Sequence, residues 1–106
     1  MAEVLSIEEL RSRIDVIDDQ LVRLLNVRVA CAVEVGRLKH EAGLPIYQPE
    51  REAQVLNSVR KTATELAGPL TAEALVRIFE RIIDEARRVE RAASVRGDGD
   101  GPAIGE

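Results

Sequence analysis

The chain has 106 residues and a mass of 11.7 kDa, which sets one domain as the expectation. Apolar residues make up 45% and charged residues 32%, the balance of a soluble globular chain rather than a disordered one, while aromatics reach only 2%. Tyr47 and Phe79 are the whole aromatic complement, so sandwiches and small barrels are disfavoured and no stacking platform for single-stranded nucleic acid exists.

Charge narrows the field further. Fifteen basic residues against nineteen acidic ones leave a net charge of −4, the reverse of a protein that tracks phosphate backbones. That balance does not exclude a small cationic pocket. Cys31 is the single cysteine, so no internal disulfide and no oxidising compartment are expected. The opening residues carry no basic and apolar leader, and no run of 18 apolar residues offers a membrane span. One histidine and one cysteine cannot build a structural zinc site. The expectation is a cytoplasmic protein with no metal, no nucleic-acid partner and no membrane.

The first predicted element opens with Ser6-Ile7-Glu8-Glu9, a capping box, flanked by Leu5 and Leu10 as a hydrophobic staple. Leu10, Ile14, Ile17, Leu21, Leu24, Arg28, Cys31, Val35, Leu38 and Ala42 then keep an unbroken four-three spacing. This is a helical seam running to about Glu41. At ~1.5 Å per residue the helix is about 50 Å long, far beyond the ~13 Å radius of gyration of a compact chain this size. Such a seam needs a partner chain, and a homodimer is the simplest one.

Gly43, Pro45 and Pro49 close the first segment, and the second helix starts at Pro49 with Glu50 and Glu52 in its first turn. Val55, Leu56 and Val59 lead it towards Leu66, and Gly68-Pro69 stops it. Thr71 caps the third helix, with Leu70 stapled against Leu75. Its apolar face is Leu75, Ile78, Phe79, Ile82, Ile83, Ala86 and Val89. No alternating strand pattern appears, so the fold class is all-α with three helices. Residues 1–5 read as a lead-in, 6–93 as the domain and 94–106, rich in glycine and aspartate, as a disordered tail. The Gly97–Gly101 run lacks the glutamate and flanking helices of a calcium loop.

Several residues break the pattern. Arg28 is the one charge in an otherwise apolar seam: either a snorkelling side chain or a guanidinium held to bind an anion. Lys39 lies 11 residues on, close to three turns, so both cations project on nearly one face, about 16 Å apart by rise. Gly36 between them costs roughly 1 kcal/mol in mid-helix and serves either close helix packing or ligand room. Arg11 stands 17 residues before Arg28, about 25 Å of rise, and could meet it only across a dimer. Arg51 and Glu52 occupy the first turn of the second helix beside an exposed loop. Glu90 ends the third helix's apolar face, where partial burial would raise its pKa. His40 and Cys31 read as structural or surface residues.

Three stretches, Leu10–Asp18, Val33–Lys39 and Tyr47–Glu52, together resemble the all-helical class of chorismate mutases. With Gly68-Pro69-Leu70 and Arg77–Ile83, the likeness is greatest to the mutase domain of bacterial bifunctional chorismate mutase–prephenate dehydratase proteins and covers about residues 6 to 91. No dehydratase domain follows, so a monofunctional protein is expected. The resemblance implies an intertwined homodimer with two equivalent sites. In each, Arg28, Lys39, Arg51, Glu52 and Glu90 of one chain would meet Arg11 of the other around chorismate.

The implied reaction is the Claisen rearrangement of chorismate to prephenate, with no covalent intermediate, metal or cofactor. Arginines would hold the two carboxylates, Lys39 would donate to the ether oxygen and Glu52 would contact the ring hydroxyl. Gln48 stands where some members carry aspartate, Ala86 where some carry serine, and Glu90 where one branch carries glutamine. The catalytic set expected is thus Lys39, Glu90 and Arg28, and the substrate-binding set adds Arg11, Gln48, Arg51, Glu52 and Ala86. Two alternatives remain: an isochorismate pyruvate-lyase on the same fold, and a non-catalytic dimerisation or regulatory module.

Overall fold

The computed structural model describes residues 4–45 and 47–97; of the expected tail, residues 94–97 instead continue the last helix, and the run from 98 onwards lies outside the described residues. Among the described residues the chain forms three helices, α1 (Ile7–Ala42), α2 (Pro49–Leu66) and α3 (Ala72–Gly97), and no strand. The all-α expectation holds. None of these helices is long and apolar enough to cross a membrane.

Each boundary has a local cause. The Glu9 N–H donates to Ser6 Oγ at 3.1 Å and the Ser6 N–H donates to Glu9 Oε1 at 2.8 Å, so the capping box forms as the spacing predicts. At the other end Gly43 adopts φ 70°, and its N–H donates to the His40 carbonyl while Leu44 N–H reaches that of Lys39. Lys39 and His40 place basic groups in the final turn of α1. Thr71 Oγ accepts the Ala74 N–H at 3.0 Å and starts α3.

α2 ends at Leu66, ahead of Gly68-Pro69 as expected, and its left-handed cap falls on Ala67, with φ 51°. An L-residue with a Cβ pays about 1–2 kcal/mol for that conformation, and glycine escapes it at some cost in unfolded-chain entropy. Ala67→Gly should therefore stabilise the protein by about 0.5–1 kcal/mol, read as a higher urea midpoint with an unchanged slope.

The packing is open. α3 lies against both α1 and α2, while the backbones of α1 and α2 do not approach each other among the described residues. The Cα radius of gyration is 18.4 Å and the extents are 62 × 29 × 17 Å, against the ~13 Å of a compact chain. The most buried apolar side chains described are Ala63, Val76 and Ala86, all on α2 or α3.

On α1 every residue from Ile7 to Val27 is exposed. Further along, the partly covered positions are Arg28, Val29, Ala32, Val33, Gly36 and Lys39, the stripe that meets α3. The seam inferred from spacing is therefore not the face buried within the chain. Leu10, Ile14, Ile17, Leu21 and Leu24 are between 44% and 64% exposed, and Cys31, Val35 and Leu38 are open as well. On α3, Ile78 and Val89 were expected inside and are exposed, while Val76 takes the buried place. α3 is held between two helices, so its covered arc is wider and rotated from the single stripe its periodicity suggests.

Candidate active site

Arg28 marks the point where α1 passes from open surface onto α3. Its guanidinium carbon lies 5.9 Å from the centroid of the Phe79 ring, within cation–π range. Arg28 and Arg51 line one cleft of about 410 Å³, whose walls include Val55, Val59, Leu75 and Phe79. That volume falls in the range of small-molecule sites. Two guanidinium groups on an apolar wall form a local cationic site in a chain of net charge −4. Arg28 itself is half-buried between the Phe79 ring and the cleft.

Three turns along, α1 brings Gly36 and Lys39 to the end of α3. A Cβ on Gly36 would meet Glu90 Oε1 at 3.4 Å, about van der Waals contact, so the Glu90 carboxyl lies beside Gly36 where α3 passes α1. Burial pushes the Glu90 carboxyl above the usual carboxylate range; Lys39, Arg87 and Arg91 pull it back only in part. Burial thus favours the protonated form of the Glu90 carboxyl, and the neighbouring cations favour the ionised form.

The remaining predicted residues are distributed as follows. Ala86, 3% exposed, sits one turn before Glu90 on the same face of α3. Gln48 is half-buried at the N-cap of α2, where its carbonyl accepts the Arg51 N–H at 3.1 Å and its side chain makes no cap bond. Glu52, in the first turn of α2, is ion-paired with Arg87 of α3. Arg11 lies on the exposed half of α1, about 25 Å of helical rise from Arg28, and the chain does not bring it to the others. Cys31 and His40 are exposed, as expected of surface residues.

Arg87 is the residue that sequence reasoning missed. Its guanidinium contacts Glu52, takes Asp84 Oδ1 at 3.2 Å and lies 5.6 Å from the Tyr47 ring centroid. The i,i+3 spacing of Asp84 and Arg87 is visible in the sequence. The pairing across to α2 is not, because it depends on how the two helices are rotated.

Two guanidinium groups on an apolar wall suit a small anion, and further along α1 Lys39 stands near the Glu90 carboxyl of α3. The family profile described as chorismate mutase type II matches residues 10–91. A bifunctional chorismate mutase/prephenate dehydratase of Aquifex aeolicus is 38% identical over 90 residues, covering 84% of this chain and 25% of the relative. The T-protein of Haemophilus influenzae is 37% identical over 81 residues, covering 76% of this chain and 21% of that protein. A protein named chorismate mutase from Methanocaldococcus jannaschii is 29% identical over 83 residues, covering 78% of this chain and 82% of its own length. The chain spans about a quarter of the length of the larger relatives. With residues 10–91 of its 106 matched, the chain belongs to the chorismate mutase type II family.

Proposed function

We propose that the protein is an isomerase that converts chorismate to prephenate by Claisen rearrangement, a step in phenylalanine and tyrosine biosynthesis. The observation that carries this reading is the alignment of Arg28, Gly36 and Lys39 on the α1 stripe that faces α3, with Arg51 and Glu90 beside it. Chorismate is a dicarboxylate with an allyl vinyl ether, and its rearrangement only redistributes bonds within one molecule: a C–O bond breaks as a C–C bond forms. Catalysis is then positioning plus electrostatics. Arg28 and Arg51 hold carboxylates and favour the folded conformer, Lys39 donates to the ether oxygen as charge grows there, and Glu52 contacts the ring hydroxyl. Gln48 and Ala86 line the substrate, and no metal or cofactor takes part.

The site is completed by a second copy of the chain. The open half of α1 exposes five seam side chains, each worth on the order of 1 kcal/mol when covered. Antiparallel docking of two such helices brings Arg11 of the partner subunit to the carboxylate that Arg28 holds. We place the enzyme in the cytoplasm, in keeping with its unpaired, exposed Cys31. Incubating the purified protein with chorismate should yield prephenate. Pyruvate released from isochorismate, with no prephenate from chorismate, would sink the assignment in favour of a lyase.

Glu90 gives the reaction a pH dependence. Protonated, it adds a donor beside the ether oxygen; ionised, it repels the charge developing there. Its pKa is raised, so the protonated form persists above the usual carboxylate range and is lost as pH climbs through the raised value. Activity should therefore be higher on the acidic side and fall with rising pH. Glu90→Gln keeps a permanent N–H donor and should flatten the kcat/KM profile; an unshifted profile would remove Glu90 from the chemistry.

A further inference from the structure

Arg87 joins α3 to the first turn of α2 and to the loop that leads into it. From α3 it reaches the Glu52 carboxylate in the first turn of α2. Its other terminal nitrogen is held by Asp84, one turn earlier on α3, at 3.2 Å. The Tyr47 ring, in the loop that leads into α2, lies 5.6 Å from the same guanidinium. A planar guanidinium with fixed donors transmits orientation: Asp84 sets the plane of the fork, and the fork sets Glu52. The side chains of Arg87 and Glu52 are 35% and 31% exposed, so this pair is far more sheltered than Arg23–Asp19, at 76% and 63%. The exposed pairs on α1 link neighbours one turn apart; this one fixes one helix against another.

We propose that Arg87 is the positioning residue for Glu52, aiming its carboxylate at the substrate's ring hydroxyl through the Asp84–Arg87–Glu52 relay. The proposal rests on the mutase reading above, since Glu52 needs a substrate to address. A contact to a hydroxyl that does not change during the rearrangement is made in both ground and transition states. Loosening it therefore acts on KM and leaves kcat nearly intact. A merely structural Arg87 would lower the folded fraction and so reduce apparent kcat, with KM unchanged.

The experiment compares chorismate kinetics and thermal unfolding for wild type, Arg87→Met, Arg87→Lys, Glu52→Gln and the Glu52→Gln/Arg87→Met double variant. Methionine keeps a stem for packing and deletes the charge. At acidic pH, where Glu90 is protonated with or without Arg87, Arg87→Met should raise KM about tenfold with kcat within about twofold, the scale of one weakened bond to a charged group. Lysine, a point charge without the fork, should restore part of that loss. On the Glu52→Gln background the same substitution should cost less than about twofold, because its target is already gone. An unchanged KM in Arg87→Met, or a full tenfold loss on the Glu52→Gln background, overturns the proposal. Wild-type protein that leaves chorismate untouched overturns the mutase reading instead. In that case the unfolding cycle decides the pair alone, and additive midpoint shifts overturn it.

Discussion

Lys39→Ala lowers kcat/KM by about 10²–10³-fold while the circular dichroism spectrum and the oligomeric state stay as they are in wild type. The magnitude is that of removing one preorganised donor aimed at developing charge in a sheltered site. The fold is spared because alanine is at least as good a helix former as lysine. Lys39 also occupies the last turn of α1, where the helix dipole favours a cation, and its loss there costs only a few tenths of a kcal/mol, roughly. A second signature follows from its neighbour. Lys39 is the first of the cations that hold the Glu90 carboxyl down, so without it burial pushes that carboxyl still higher. The residual activity should then persist to higher pH than in wild type before it falls. Turnover near the wild-type rate would show that Lys39 does not address the reacting oxygen.

Mixing two dead enzymes should restore about a quarter of wild-type activity. Arg11 and Arg28 lie about 25 Å apart along one rigid helix and cannot share a small ligand within a chain. In the proposed two-fold dimer each site would draw Arg28 from one chain and Arg11 from the other. A heterodimer of Arg11→Ala with Arg28→Ala therefore carries one doubly damaged site and one intact site. Random exchange makes about half the dimers mixed, and half of their sites work. Equal amounts of the two variants, mixed after partial unfolding and refolded together, provide the measurement. Exchange confirmed by mass spectrometry with no return of activity would show that the sites are not shared.

The helix starts were legible because their causes are local. Ser6 with Glu9 and Thr71 act through bonds to residues three positions away, and Pro49 through its fixed φ in the first turn. The cationic character of the site was legible too, since Arg28 interrupts an apolar spacing and Lys39 repeats it three turns later. What escaped were relations between helices. α1 carries apolar residues on more than one side, Val22, Leu25 and Val27 as well as the seam, so periodicity cannot say which side its own chain covers. The stripe through Val29, Ala32, Val33 and Gly36 emerges only when α3 is in place. Arg87 escaped for the same reason, and Ala67 because a left-handed cap on alanine contradicts its preference.

The long uncovered half of α1 has a consequence for how much enzyme a cell must keep. In the dimer proposed above, a chain whose described core comes down to Ala63, Val76 and Ala86 gains the rest of its cohesion by mass action. Folding and site assembly are then one concentration-dependent event, so dilution should remove activity and structure together. Specific activity per chain is then not a constant but rises with expression level until pairing saturates. A cell that halves its supply of this polypeptide near that threshold loses more than half of its flux.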